Sequence, residues 1–123
     1  MADVTSAVEL YLSLWNETSK EIRLQGITET LTPDVTYTDP LADVVGYDGI
    51  DAVIASVQGQ FSGFIFRLLD GVDSNHNIAR FQWELVPGGG GGQSIAIGSD
   101  LAVFSEDGKI RSIYGFLDKV PGA

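Results

Sequence analysis

The sequence predicts an α+β protein with a single domain over residues 1–123. Apolar residues recur at helical spacing only in the first 60 residues, and everything after Ser62 alternates as strands do. Helices that precede a run of hairpin-connected strands favour a mainly antiparallel sheet that is packed on one face by those helices. A chain of 123 residues can bury one hydrophobic core, which fits one domain.

Three helices are expected in the first half of the chain. The first runs from about Asp3 to Asn16, where apolar side chains recur every three or four residues behind a capping residue. The second opens at Ser19 and ends near Leu31, with Gly26 as a weak point in its middle. The third runs from Gly49 to about Gln60, with Asp48 as its cap.

The second half of the chain predicts strands joined by turns. One predicted strand, Val35–Thr38, lies earlier, between the second and third helices. The others are Phe64–Val72, Ile78–Val86, Ser94–Phe104 and Lys109–Leu117. Residues 73–77 are polar and predict a turn, and Ser105–Gly108 predicts a tight turn. The glycine run Gly88–Gly92 predicts a hairpin tip, because it lacks the helix context and the lysine of a phosphate loop.

Composition and charge exclude several classes of function. Seven basic against seventeen acidic residues give a net charge of −10, so neither nucleic acid nor an anionic membrane is an expected partner. The chain has no cysteine and one histidine, which excludes thiolate and multi-histidine metal sites, so no metal is expected. Neither a signal peptide nor a run of about 20 apolar residues is visible, and a cytoplasmic protein is predicted.

The stretch Pro33–Pro40 ends an alternating strand with Asp39 before a proline. A residue before proline is kept out of the helical region, so the carboxylate of Asp39 is held at a rigid strand end. Such a carboxylate either caps a turn or acts on a ligand, and turn-capping is the commoner role. The stretch itself leaves both roles open.

Asp100 is the second unusual carboxylate, because it lies inside a strand whose two faces are both apolar. Its own face carries small residues such as Ala96, Gly98 and Ala102, which leave room for a cavity. A buried carboxylate is costly unless it is paired or protonated. Asp100 therefore either pairs with an arginine (Arg67, Arg80 or Arg111) or serves a functional site.

Two other side chains have a structural and a functional interpretation. Trp15 ends the first helix as a core residue, although its indole N–H would suit a pocket carboxylate or a ligand oxygen. His76 lies among serine and asparagine residues, and a solvated turn histidine is expected rather than a catalytic one.

Nearly the whole chain resembles the NTF2-like cone fold, and within it the SnoaL-like polyketide cyclases and the ketosteroid isomerases. The similarity is most specific in Leu31–Pro40, in Gly46 ahead of a helix, and in Asp100–Ile110. The resemblance implies three helices on a curved antiparallel or mixed sheet, and a site that needs no cofactor. It also implies that Asp39 is the catalytic base and that Asp100 is a protonated oxyanion-hole donor.

The isomerases carry a third site residue, a tyrosine on the first helix. Counting back from Asp39 without gaps places Trp15 at that position, and Tyr11 lies one turn earlier. An indole N–H can donate a hydrogen bond but is a much weaker acid than a phenol.

These observations predict a hydrophobic pocket in a cofactor-independent acid/base enzyme, an isomerase or cyclase, that acts on a small hydrophobic carbonyl compound. The predicted catalytic residues are Asp39 and Asp100. The predicted ligand-binding wall consists of Trp15, Tyr37, Val53, Phe81, Trp83 and Ile113. The alternative is a non-catalytic ligand-binding or dimerisation module of the same fold. A homodimer is expected in each case, because the outward apolar residues Ile95, Ile97, Leu101 and Val103 have no helix to cover them.

Overall fold

The computed structural model describes residues 3–89 and 92–121, and it has the predicted α+β architecture. Its three helices are α1 (Val4–Asn16), α2 (Lys20–Thr30) and α3 (Gly46–Gln60). Its strands are β1 (Leu31–Asp39), β2 (Ala42–Val45), β3 (Phe64–Leu68), β4 (Asp73–Asn75), β5 (Ile78–Pro87), β6 (Ala96–Phe104) and β7 (Ile110–Lys119). The middle of the predicted hairpin tip Gly88–Gly92 lies outside the described residues.

The helices begin at the residues that local chemistry favours. Asp3 caps α1 by accepting a hydrogen bond from the Thr5 amide, and Ser19 caps α2. The prediction that Asp48 caps α3 is wrong. That helix begins at Gly46, whose φ of 86° turns the chain directly out of β2, and Asp48 lies in its first turn. Within the described ranges, no helix combines the length and hydropathy that a bilayer span requires.

The strands form one curved, mixed sheet in the order β2-β1-β7-β6-β5-β3, with β4 paired to β5. Strands β1 and β7 are parallel, and every other pair is antiparallel. The sheet is open, with β2 at one end, and the helices pack on its concave face.

Several boundaries differ from the predicted ones. β1 starts directly at the end of α2, and β3 ends at Leu68 rather than Val72. Strand β2 lies in a segment for which the sequence predicts no strand, and β4 occupies part of the turn predicted at residues 73–77. Both are short, and the β4 side chains are all exposed, so their pairing rests on backbone hydrogen bonds and leaves no apolar alternation to detect.

The core lies between the concave face and the helices. Along β6, every second residue from Ala96 to Phe104 is buried, so Asp100 shares the inner face with small residues as predicted. The residues between them stay half-buried, so the outer face of this strand is only partly covered in the single chain. Ile95 precedes β6 and packs against the core, which removes it from the predicted outer face.

A buried ion pair joins the three helices. The Arg23 guanidinium, 3% exposed, donates through Nε to Asp51 Oδ1 at 2.6 Å. Its Nη1 donates to the Glu17 carbonyl and to Gln58 Oε1, at 2.9 and 3.1 Å. Gln58 in turn donates to the carbonyl of Trp15 at the end of α1. The network therefore ties α2 and α3 to the C-terminal end of α1.

Candidate functional site

A cavity of about 120 Å³ lies between the concave face of the sheet, α1 and α3. Its wall is mainly aromatic and aliphatic, with few polar side chains. The lining residues are Leu12, Trp15, Tyr37, Asp39, Leu41, Val57, Gln60, Phe61, Phe66, Trp83, Leu85, Ala96, Asp100, Leu117 and Pro121.

Asp39 and Asp100 reach the cavity from two strands that flank β7. Asp100 pairs in register with Gly115, and Thr38, one residue before Asp39, pairs with Tyr114. A Cβ built on Gly115 would lie 2.7 Å from Asp100 Oδ1 and 3.3 Å from Asp39 Cβ. The absence of a side chain at Gly115 therefore leaves room for the Asp100 carboxylate and for the side chain of Asp39.

Three donors fix the orientation of the Asp39 carboxylate. The Tyr37 hydroxyl donates to Oδ2 at 2.5 Å, and the amides of Leu41 and Ala42 both donate to Oδ1 at 2.8 Å. These amides belong to the turn between β1 and β2, which proline stiffens. Asp39 is thus a turn cap, which is the commoner of the two roles that the sequence left open, and its side chain also lines the cavity.

Asp100 has a different environment. It is only 7% exposed, and burial raises its pKa from 3.8 to about 7, more than the Trp83 indole N–H lowers it. The charges of Asp39 and Asp118 raise the pKa further. At neutral pH a substantial fraction of Asp100 is therefore protonated, and it can donate a hydrogen bond.

The alternative that pairs Asp100 with an arginine is wrong for the described residues. Of its three candidate partners, Arg67 forms an ion pair with Glu84 at 2.7 Å, and Arg80 forms one with Asp73 at 3.0 Å. The third candidate, Arg111, is exposed. The first two pairs lie on the outer face of the sheet, and Asp100 lies on the inner one. No cation of the described chain forms an ion pair with Asp100.

Four aromatic rings line the cavity in a continuous series. The ring centroids of Trp15 and Tyr37 lie 5.7 Å apart, those of Trp15 and Phe66 5.5 Å, and those of Phe66 and Trp83 5.1 Å. The rings of each pair are inclined to each other by 44° to 71°, which are favourable arrangements for aromatic contacts.

Tyr11 lies beside the site without lining the cavity. It packs edge-on against Trp15 and Phe81, with centroid distances of 6.4 and 6.2 Å. Its hydroxyl is fully buried and has no hydrogen-bond partner among the described residues. Burial and then the Asp100 charge raise the pKa of Tyr11 well above its ordinary value, so the phenol stays protonated.

The structure brings together five of the eight residues that the sequence singled out. Trp15, Tyr37 and Trp83 line the cavity with Asp39 and Asp100. The other three do not line it: Phe81 and Ile113 are buried in the core, and Val53 is half-buried on α3 against the core. These three residues were predicted to line the pocket only because their positions in the apolar pattern face inward. That pattern cannot distinguish a core residue from a residue of the cavity wall. His76 lies exposed in its turn, as predicted.

Sequence reasoning missed Gln60, Phe61, Phe66 and Gly115. Phe61 and Gln60 lie where α3 ends, at a helix terminus that gives no pattern of its own. Gly115 could have been found, because a glycine interrupts an otherwise alternating last strand. Its role nevertheless depends on the register with Asp100, which the sequence does not specify.

Comparisons with known proteins agree with this architecture. The chain is 32% identical to a candidate isomerase of the SnoaL-like family from Agrobacterium tumefaciens, with a TM-score of 0.85 over 92% of this chain and 95% of that one. A candidate SnoaL-like polyketide cyclase from Jannaschia is 19% identical, with a TM-score of 0.69 over 93% and 86%. An NTF2-like protein of unknown function from Cytophaga hutchinsonii is 14% identical, with a TM-score of 0.63 over 96% and 95%.

The last two comparisons show the fold alone, and they confirm the predicted NTF2-like cone. No curated protein matches the chain. The model of the SnoaL-like domain matches residues 8–113, which include Tyr11, Trp15, Asp39 and Asp100. The chain therefore belongs to the SnoaL-like domain family.

Proposed function

We propose that this protein is a cofactor-independent acid/base enzyme that acts on a small hydrophobic carbonyl compound. Asp39 acts as the general base, and protonated Asp100 acts as the donor to the carbonyl oxygen. One observation carries the proposal: two carboxylates in unlike surroundings flank Gly115 at one apolar cavity. Environments that separate the protonation states of two such groups are typical of acid/base pairs.

The proposed step is an enolisation. Asp39 takes a proton from the carbon next to the carbonyl, and the electrons of the broken C–H bond form the carbon–carbon double bond. The carbonyl π electrons move to oxygen, where the Asp100 hydroxyl stabilises the developing charge. Return of the proton from Asp39 to the same carbon restores the ketone with its hydrogen exchanged, and return to the far carbon of a conjugated enolate completes an isomerisation without a cofactor.

The wall of the cavity supports a small and largely apolar substrate. The described lining residues include no basic side chain that would bind an anionic group, and both acidic ones face the reacting centre. The candidate isomerase from Agrobacterium tumefaciens, at 32% identity, supports the same class of reaction.

Deuterium exchange tests the proposal without knowledge of the natural substrate. In D₂O the protein is expected to accelerate the loss of the α-proton signal of cyclohexanone in ¹H NMR spectra. Asp39→Asn removes the base, so the accelerated rate should fall by roughly a hundredfold. Asp100→Asn should also slow exchange, and the wild-type rate should fall as pH rises through about 7, where Asp100 loses its proton.

The matched control for these variants is Asp34→Asn. Asp34 is exposed on the same strand as Asp39, and its replacement removes one charge without altering the cavity. If this control lowers the exchange rate as much as Asp39→Asn does, Asp39 is not the base. Wild-type protein that gives only the buffer rate with cyclohexanone and with the larger ketone α-tetralone would also contradict the proposal.

A non-catalytic ligand-binding module is the second candidate. It is supported by the Asp39 carboxylate, both of whose oxygens already accept hydrogen bonds from Tyr37 and the turn after it. In that case the fluorescence of Trp15 and Trp83 would change on addition of cyclohexanone, but no deuterium exchange above the buffer rate would follow.

We also propose a homodimer that is formed through the outer face of the sheet. Half-buried Ile97, Leu101 and Val103 on β6 lie beside Tyr114 and Phe116 on β7, which are 43% and 68% exposed.

Light scattering coupled to size exclusion should give twice the chain mass of 13.2 kDa. Phe116→Glu should shift the measured mass towards that of the monomer. Glu106→Gln, in an exposed turn, should leave the mass unchanged. A wild-type monomer at micromolar concentration would contradict the proposal.

A further inference from the structure

The cavity combines aromatic rings with two carboxylates, and its described wall contains no lysine, arginine or histidine. We infer that it binds small organic ammonium ions, with the rings surrounding the cation and the carboxylates supplying the opposite charge. This binding goes beyond the proposed enolisation and does not depend on Asp39 acting as a base.

The four-ring series of Trp15, Tyr37, Phe66 and Trp83 is the aromatic part of the cavity wall. Aromatic rings attract cations through their electron-rich faces, and sets of inclined rings are typical of sites for quaternary ammonium groups. A neutral apolar ligand would need only apolar walls, which leucine and valine supply equally well. The concentration of rings at this cavity, including both tryptophans of the chain, therefore suits an organic cation in addition to the apolar carbonyl compound proposed above.

When it is ionised, Asp100 carries a negative charge that no cation of the described chain matches. This side chain is more than nine-tenths buried, it lines the cavity, and no cation of the described chain pairs with it. Two of the arginines in the sheet, Arg67 and Arg80, are paired with acidic residues on the outer face. An ammonium group in the cavity would supply the missing partner, and the net charge of −10 would draw cations towards it.

The ionisation of Asp100 should then be coupled to cation binding. The charges that act on it are those of Asp39 on β1 and Asp118 on β7, and its own charge raises the pKa of the two nearby phenols, Tyr37 and Tyr11. Both phenols stay neutral, so Asp100 is the group near the cavity that changes its charge around pH 7. A bound cation favours the ionised form, so affinity should rise with pH until Asp100 is fully ionised.

Three molecules of nearly the same shape test the inference. Choline carries a positive charge, 3,3-dimethylbutan-1-ol is its neutral isostere, and 3,3-dimethylbutanoate is a negatively charged analogue. Titrations followed by tryptophan fluorescence at pH 8 should show choline binding at least about tenfold more tightly than the alcohol, with no binding of the anion. Choline affinity should fall by about tenfold between pH 8 and pH 5.5, and the alcohol affinity should not change.

Asp100→Asn should lower choline affinity by about tenfold and remove its dependence on pH, while the affinity for the neutral alcohol stays the same. Unchanged alcohol binding also shows that the variant is folded. Asp34→Asn, the exposed control, should leave choline affinity within about twofold, since exposed charges are strongly screened.

Equal affinities for choline and the alcohol would overturn the inference, as would tighter binding of the anion. The inference is also wrong if Asp100→Asn weakens the binding of choline and of the alcohol by the same factor, or if choline does not bind at millimolar concentration. The test of choline binding can be distinguished from the test of the proposed enolisation. Choline binding without ketone exchange would contradict only the enolisation, and exchange without choline binding would contradict only this inference.

Discussion

Replacing Asp51 with asparagine is expected to lower the free energy of unfolding by about 3–5 kcal/mol. Asp51 is 4% exposed and pairs with the almost equally buried Arg23 at 2.6 Å. The substitution keeps the shape of the side chain but leaves a guanidinium buried without an opposite charge. Losing one partner of a buried pair is far more costly than losing an exposed pair. Urea unfolding followed by fluorescence measures the change.

Two further variants separate charge from packing in this network. Asp73→Asn breaks the exposed pair with Arg80, and it should cost less than about 1 kcal/mol. The double variant Arg23→Met with Asp51→Leu removes both buried charges together, so it should recover much of the stability that Asp51→Asn loses. A loss for Asp51→Asn no larger than that for Asp73→Asn would contradict the importance of the buried pair.

Asp100→Asn is expected to stabilise the protein at neutral and alkaline pH. The folded-state pKa of Asp100 is about 7 and its ordinary value is 3.8, so between these values the folded chain holds a proton that the unfolded chain releases. The contribution of Asp100 to stability therefore falls as pH rises from 3.8 to 7, and it stays low above that range. At about 1.4 kcal/mol per pKa unit, the variant gains at most about 4 kcal/mol at pH 8.

Urea unfolding of the two proteins at pH 4 and at pH 8 measures this gain. At pH 4 the carboxyl group is largely neutral in the folded state, so the wild type and the variant should have nearly the same free energy of unfolding. The gain should appear only as the pH rises. Asp34→Asn, at an exposed position, should show no comparable dependence. A stability difference between wild type and Asp100→Asn that is the same at both pH values would disprove the effect.

The periodicity of apolar residues allowed the helices and most strands to be predicted, and the resemblance in Leu31–Pro40 and Asp100–Ile110 implied the fold family. The periodicity also placed Asp100 correctly among small inward residues, because phase along a strand determines which face a side chain occupies. The short edge strand β2 escaped prediction, since four residues paired through their backbones leave almost no pattern. The parallel pairing of β1 with β7 was not apparent either, because register between distant strands is not encoded locally.

The site was only partly predictable for the same reason. Asp39 and Asp100 each stand out in the sequence. The room that both side chains occupy at the cavity, however, depends on Gly115 in a third strand. The Arg23–Asp51 ion pair was not predicted either, because nothing in the apolar pattern around one residue indicates that the other is its partner. Phe81 and Ile113 were assigned to the cavity wall because they point inward, and the depth at which they lie became visible only in three dimensions.

The place of β7 in the sheet has a consequence for the order in which the protein folds. This last strand lies between β1 and β6, and its pairing with β1 joins residues as far apart as Leu31 and Ile110, 79 positions along the chain. Closing so long a loop costs entropy and slows folding, whereas the hairpins of β5, β6 and β7 form from neighbouring segments. The hairpin that carries Asp100 can therefore assemble early, and Asp39 joins it only when the most distant contact of the sheet has formed. On the ribosome, the two carboxylates cannot share a cavity until the final strand has emerged.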